Sequence, residues 1–284
     1  MKTIGFIDYY LSEWHANHIS DWLKQVGETT GLEFKIGYAY GAIDSPKDGM
    51  TSEEWCSKFG AEKCDTIQEV AQKSDALMIL SPDNSEFHLP FAKEAFPSGK
   101  PVFVDKTFAN DLETAKEIFN LAEKYNCPIY SSSALRFAEE LKPYLKRGGK
   151  DIKNMILYGP GEFEIYIIHI IEMAVAVSAQ PFKEVCCRMF GALRVFELKA
   201  DNFATYIIQC FDYPSFRASF DIEGESKTVS IDSNFFIGQI TATLNMFESK
   251  KVPVAKEETL STIAIREALI ESSKKLGTWV PVKK

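Results

Sequence analysis

Apolar and polar positions alternate along the first half of the chain in a regular rhythm. Lys2 to Asp8, β-branched and aromatic, predicts a first strand, and Trp14, His18, Trp22 and Val26 recur at helical spacing. Glu33 to Tyr40 reads as a second strand. A helix over Ser52 to Phe59, capped by Ser52, follows, and Thr66 and Glu69 open another with a capping box. Ala76 to Leu80 is a continuous apolar run, as in a strand buried on both faces. After the turn Ser81-Pro82-Asp83-Asn84 come a helix from Ser85 to Phe96 and the short strand Val102-Phe103-Val104. A helix from Asn110, its cap, to Tyr125 and a strand from Pro128 to Ser133 complete residues 1–133. Strands alternating with helices predict an α/β fold here, a Rossmann-like, doubly wound parallel sheet.

The rhythm then changes. Arg136 to Lys146 reads as a helix, Lys153 to Tyr158 as a strand, and Phe163 to Ala179 as an apolar helix. Strands without intervening helices come next: Val185 to Phe196, Ala204 to Phe211, Phe216 to Ile222 and Lys227 to Ile231. Helices over Phe235 to Ser249 and Thr259 to Leu276 close the chain. Residues 134–284 therefore form a second, α+β domain with an open, largely antiparallel sheet. Such a sheet, with one apolar face, predicts a homodimer or homotetramer joined through it.

Composition narrows the function classes. The 284 residues are 45% hydrophobic and 25% charged, as in a globular protein, and a net charge of −8 argues against nucleic acid and anionic membranes as partners. The N-terminus turns polar too soon for a signal peptide, and Ile165 to Ala179 is shorter than the roughly 20 residues of a membrane span. The six cysteines show no C-x-x-C or Cys/His ligand spacing. Reduced thiols, a cytoplasmic location and no metal site are expected.

Two places carry candidate chemistry. Lys106 follows the strand Val102–Val104, at the end where ligands collect in open α/β sheets; a solvated loop lysine is the plain alternative. Glu162, Tyr166, His169 and Glu172 form one polar stripe on an otherwise apolar helix, so the stripe needs partners or a cavity. A self-satisfied buried His169–Glu172 pair is one reading, and a proton-transfer site the other. His15 and His18 read as helix-face histidines, with contact between His15 and a ligand phosphate as the alternative. Arg136 reads as a substrate ligand or an interdomain salt bridge.

Three stretches resemble the Gfo/Idh/MocA family of NAD(P)-dependent sugar and cyclitol oxidoreductases. Ser81-Pro82-Asp83-Asn84-Ser85-Glu86-Phe87-His88 is similar to the family's T-P-N-x-x-H turn. Gly99 to Ala109 looks like G-K-H-V-x-x-E-K-P-x-A, which sets Lys106 at the active-site lysine. Phe247 to Leu276 and Val280-Pro281-Val282 look like the family's last helices and strand. The resemblance implies hydride transfer between a nicotinamide cofactor, NAD or NADP, and a sugar, cyclitol or related polyol. Lys106 and His169 would be catalytic, the latter through similarity of Tyr166 to Glu172 to D-x-x-x-H-x-x-D. Glu172, Tyr166, Arg136 and Glu162 would bind substrate. Asp8, Tyr9, Tyr10, Ser81, Pro82, Asn84, His88, Asp105 and Lys106 would face the cofactor.

The departures are equally specific. Asp8-Tyr9-Tyr10-Leu11-Ser12-Glu13-Trp14-His15 stands where G-x-G-x-x-G is expected, and no glycine lies between Gly5 and Gly27. The second strand ends without an acidic residue for a ribose, Asp44 being a weak substitute. Asp105 and Thr107 replace the Glu and Pro of E-K-P. Ile165 takes the catalytic carboxylate's position, for which Glu164 is the nearest replacement. These changes support an alternative, a family-like protein without redox activity that binds a polyol or sugar or serves as a partner subunit.

Overall fold

The computed structural model describes residues 1–210, 212 and 215–284. In chain order the elements are β1 (Lys2–Asp8), α1 (Trp14–Thr30), β2 (Phe34–Gly41), α2 (Ser52–Phe59), β3 (Glu62–Lys63), α3 (Ile67–Lys73) and β4 (Ala76–Ile79). Then come α4 (His88–Ala95), β5 (Val102–Val104), α5 (Leu112–Lys124), β6 (Ile129–Tyr130), β7 (Ile152–Gly159) and α6 (Phe163–Val177). The chain ends with β8 (Glu184–Phe190), β9 (Leu193–Lys199), β10 (Ala204–Gln209), β11 (Arg217–Ile222), β12 (Glu225–Ser230), α7 (Phe235–Ser249), α8 (Lys256–Ser273) and β13 (Trp279–Pro281).

Two compact units result, residues 1–132 with 236–256, and residues 133–235 with 257–284. The sequence pattern predicts one boundary after residue 133, with residues 134–284 as the second domain. The helix α7 instead packs in unit 1, where Phe236 stacks on Trp22 at 4.3 Å and Gln239 Nε2 donates to the Ser132 carbonyl at 2.8 Å.

Unit 1 carries a six-stranded parallel sheet in the order β3-β2-β1-β4-β5-β6. Strands β4 and β5 are wholly buried, as their unbroken apolar sequence requires. Gly5 lets α3 approach β1, since a Cβ there would lie 2.4 Å from Ser74 Oγ and from Val70 Cγ1. The strand order reverses between β1 and β4, the place where such sheets open toward ligands.

Unit 2 carries a seven-stranded sheet in the order β12-β11-β7-β10-β9-β8-β13. Only β10 and β7 pair in parallel, so the sheet is largely antiparallel. The apolar helix α6 covers one face, with Ile167, Ile170, Ile171 and Ala174 buried against Leu157, Ile207 and Phe196.

Local expectations needed four corrections. The helix expected over Arg136–Lys146 is two short 3-10 turns, Ala134–Phe137 and Glu139–Tyr144, separated by the extended Ala138, and Pro143 brings no N–H to the second. The strand expected over Val185–Phe196 is a hairpin that turns at Gly191, where φ is +61°. Thr51 rather than Ser52 caps α2, and Asp111 rather than Asn110 caps α5. Phe211, the expected last residue of a strand, lies outside the described residues. Among the described residues no helix is long and apolar enough to cross a membrane, and no group of His, Cys, Asp and Glu is arranged to hold a metal.

Candidate functional site

In unit 1 the polar side chains gather at the carboxyl ends of β1, β4 and β5. The loop after β1 runs through Tyr10, Leu11, Ser12 and Glu13, all buried. Glu13 is the N-cap of α1, and its carboxylate accepts from the main-chain N–H of His15 at 2.7 Å and from that of Ala16. Those are the donors that a helix N-terminus otherwise offers to an anion. Burial pushes the Glu13 carboxyl above its usual range, against the pull of His15.

Asp8 closes the turn from the other side. Its Oδ1 accepts from Tyr9 N at 2.7 Å and from Ser81 Oγ at 3.0 Å, while its buried Oδ2 has no hydrogen-bond partner. Burial, and then the negative charge of Glu13, hold this carboxyl well above the ordinary value. Such a site favours the neutral acid over the carboxylate. Ser81 reaches Asp8 from a left-handed backbone at φ +69°.

A third buried carboxylate, Asp105, pairs with the His15 imidazole, Oδ2 to Nδ1 at 2.5 Å. Burial alone would raise Asp105, but the charge and hydrogen bond of His15 bring it down to about 2. Burial would likewise lower His15, and Asp105 outweighs it, so the imidazole is raised. Neither reading of His15 anticipated this partner. His18 instead meets the Trp14 carbonyl at 2.6 Å through Nδ1.

Lys106 is 7% exposed and its Nζ donates to the Pro82 carbonyl at 3.1 Å, so it is not a solvated loop lysine. The following Thr107 has φ +52°, closed to the proline that the resembled motif carries there. Tyr9 stacks on Phe87 at 4.2 Å, Tyr10 lies under Lys47, and Asn84 donates to Glu86. Asp44, the candidate ribose ligand, accepts from Ser52 N at 3.2 Å at the start of α2. His88 is corrected outright: it is fully buried, its two ring nitrogens facing the Phe108 and Leu80 carbonyls at 3.1 and 2.5 Å. It ties the ends of β4 and β5 together and has no ring nitrogen left for a cofactor. Burial lowers its pKa.

In unit 2 the polar stripe of α6 divides. His169 is half-buried, with Nδ1 2.7 Å from Ser133 Oγ. Ser133 Oγ also accepts from Leu135 N at 3.3 Å. If Nδ1 carries the proton and donates to Ser133, the lone pair lies on Nε2, the arrangement of a proton acceptor. Tyr166, 42% exposed, has its ring 5.6 Å from that of His169 and packs on Gly161. Glu162 is the exposed N-cap residue of α6 and makes no side-chain cap bond.

Glu172 is no part of a His–Glu pair and is closed to a substrate. It is 3% exposed and accepts from Arg136 Nε at 2.9 Å. Arg136 Nη1 donates to Glu258 at 2.6 Å, and Lys146 adds a second cation 3.0 Å from Glu258. Arg136 therefore belongs to an ion network within unit 2 instead of an interdomain bridge or a substrate contact. Burial raises Glu172 and Arg136 opposes it. Ile165 is 40% exposed and Glu164 is exposed beside it, so neither is packed against His169 as a relay partner. Ser133 and Glu258 are not marked by the sequence, whereas Glu13 stands there beside Asp8 in the turn that replaces the glycine-rich loop. What the sequence does not say of Glu13 is that it caps α1.

Residues 41–132 match the model of an oxidoreductase family with an NAD-binding Rossmann fold, GFO_IDH_MocA. The match begins beyond β1, the loop after it and α1. No curated protein sequence matches the chain. Among solved structures, a probable dehydrogenase from Thermotoga maritima is similar with TM-score 0.80 at 13% identity, covering 99% of this chain and 98% of that one. A myo-inositol dehydrogenase from Lactobacillus casei, in complex with NAD(H) and myo-inositol, has TM-score 0.80 at 12% identity over 100% and 97% of the two chains. The scyllo-inositol dehydrogenase of the same organism, with NAD(H) and scyllo-inositol, gives 0.76 at 14% over 99% of each. Residues 41–132 thus match the Gfo/Idh/MocA oxidoreductase family model, and the whole chain shares the fold of these dehydrogenases, without a glycine-rich fingerprint after β1.

Proposed function

We propose that this chain is a polyol- or sugar-binding member of its oxidoreductase family, whose α1 N-terminus does not hold a nicotinamide dinucleotide. The carrying observation is Glu13, which accepts the His15 and Ala16 N–H groups that a diphosphate would need. The residues around it do not fit the group either. Asp8, Glu13 and Asp105 bring three buried carboxyls to the place of an anion, and Tyr10 and Leu11 fill the turn where glycines would admit one. The ligand class rests on the inositol-bound neighbours and on the hydroxyl-compatible groups of unit 2, His169, Tyr166 and Glu162. Ser133 Oγ meets the His169 ring at Nδ1, and the imidazole is the group we assign to accept a proton from a bound hydroxyl.

A second reading is NAD(P)-dependent hydride transfer on the same polyol class, with Lys106 and His169 each in a catalytic role. The match of residues 41–132 and the position of Lys106 after β5 favour it. It requires Glu13 to leave the end of α1, or the dinucleotide to be held elsewhere. Homo-oligomerisation is proposed through the sheet of unit 2, where Tyr158, Ile208 and Val195 lie side by side and half-buried. A single-chain mass by light scattering contradicts that proposal.

Thermal unfolding tests the functional reading. A polyol at a hundred times its Kd stabilises by about 2.7 kcal/mol. Inositols and simple sugars should include at least one ligand that raises Tm, while NAD⁺, NADH, NADP⁺ and NADPH leave it unchanged. A rise with a dinucleotide, followed by reduction of the nicotinamide on adding a polyol, selects the second reading.

A further inference from the structure

At the start of α6 a cavity of about 370 Å³ opens between that helix, the β8–β9 turn and the end of β10. Its size falls within the roughly 300–1,000 Å³ of small-molecule sites. Glu162, Phe163, Glu164, Ala192, Arg194 and Gln209 line it, along with Gly161. His169 does not.

Two polar atoms on this lining are buried without hydrogen-bond partners, Gln209 Oε1 and Arg194 Nε. Gln209 is only 3% exposed, and its Nε2 donates to the Gly161 carbonyl at 3.2 Å, which leaves Oε1 as an unmet acceptor. The Arg194 guanidinium lies 4.2 Å over the Phe163 ring, which holds its plane while Nε stays an unmet donor. Buried polar groups are ordinarily paired, so an acceptor and a donor left unmet on one cavity wall call for a group that does both. A hydroxyl does both. The wall also carries two carboxylates against one guanidinium, which disfavours an anion, and an aromatic ring.

We propose that this cavity is a hydroxyl-binding subsite for a neutral polyol or sugar. One hydroxyl of a vicinal pair donates to Gln209 Oε1, and its neighbour accepts from Arg194 Nε. The inference rests on the polyol reading above and deepens it, making Arg194 and Gln209 specificity-determining residues.

The test is calorimetric titration of the full chain with myo-inositol and scyllo-inositol. The proteins are the native sequence, Gln209→Leu and Ala192→Trp, each checked for an unchanged thermal transition. Gln209→Leu removes the acceptor. Ala192, exposed on the turn, can take an indole that fills the cavity without touching the core. The native chain should bind at least one inositol, and both variants should bind it at least tenfold more weakly. Equal binding by the native chain and Ala192→Trp overturns the subsite and leaves the polyol reading standing. No binding of either inositol by the native chain overturns the subsite, and the polyol reading then stands or falls on the wider panel of simple sugars.

Discussion

The Glu13 carboxylate accepts the main-chain N–H of His15 at 2.7 Å, so the first turn of α1 is capped by the protein's own anion. In a Rossmann-type unit that turn faces the ligand. Here the capping residue is buried, and a second buried acid, Asp8, lies beside it with a raised pKa. An incoming diphosphate would have to displace the Glu13 carboxylate from these N–H groups and fit against the buried Asp8.

Removing the cap should weaken the fold modestly. Glu13→Ala is expected to lose about 1 kcal/mol, the usual value of an N-cap, as read by urea denaturation. Glu13→Gln keeps an acceptor oxygen and should lose less. Equal loss in the two variants would show that the carboxyl oxygen is not what holds α1.

The His15–Asp105 pair makes stability depend on pH in a stated direction. The raised His15 contributes stability that is complete below its unfolded pKa of about 6.5 and is lost as pH rises through its higher folded value. The depressed Asp105 contributes above its unfolded value and fades only as pH falls through about 2. Asp105→Asn should lower the His15 pKa, seen by NMR titration, and cost about 3 kcal/mol at pH 6. The loss should shrink at alkaline pH, where His15 is neutral in both proteins. An unmoved His15 titration contradicts the pairing.

The ion network of unit 2 should behave as a structural unit. Arg136→Met leaves Glu172 buried without its hydrogen-bonded cation and should destabilise by about 3–5 kcal/mol at neutral pH. Adding Glu172→Leu should recover much of that loss. A double variant as unstable as the single one would mean that the guanidinium acts through packing alone.

Restoring the residue of the resembled motif should be harmful. Thr107 sits at φ +52°, whereas proline requires about −65°. Thr107→Pro is expected to cost more than about 1 kcal/mol in chemical denaturation. A stabilised variant would mean that the loop after Lys106 adopts another backbone.

Much of the fold was legible because pattern and local chemistry agree. The apolar runs of β4 and β5 and the capping residue Thr66 mark strand and helix ends by rules that operate over a few residues. What escaped was long-range. Nothing in the periodicity of α7 says that its Phe236 stacks on Trp22 instead of joining the second sheet. Ser133, one of three consecutive serines, becomes the partner of His169 only through a contact 36 positions apart. Glu172 followed the helical face correctly, yet its partner proved to be Arg136, supplied by a 3-10 turn that reads as an ordinary helix.

The most direct test of the account is calorimetric titration of the purified protein, shown to carry no bound nucleotide, with NAD⁺, NADH, NADP⁺ and NADPH. A closed α1 N-terminus predicts no saturable heat with any of the four. Micromolar binding, about −8 kcal/mol, would contradict it and return the chain to the dehydrogenases.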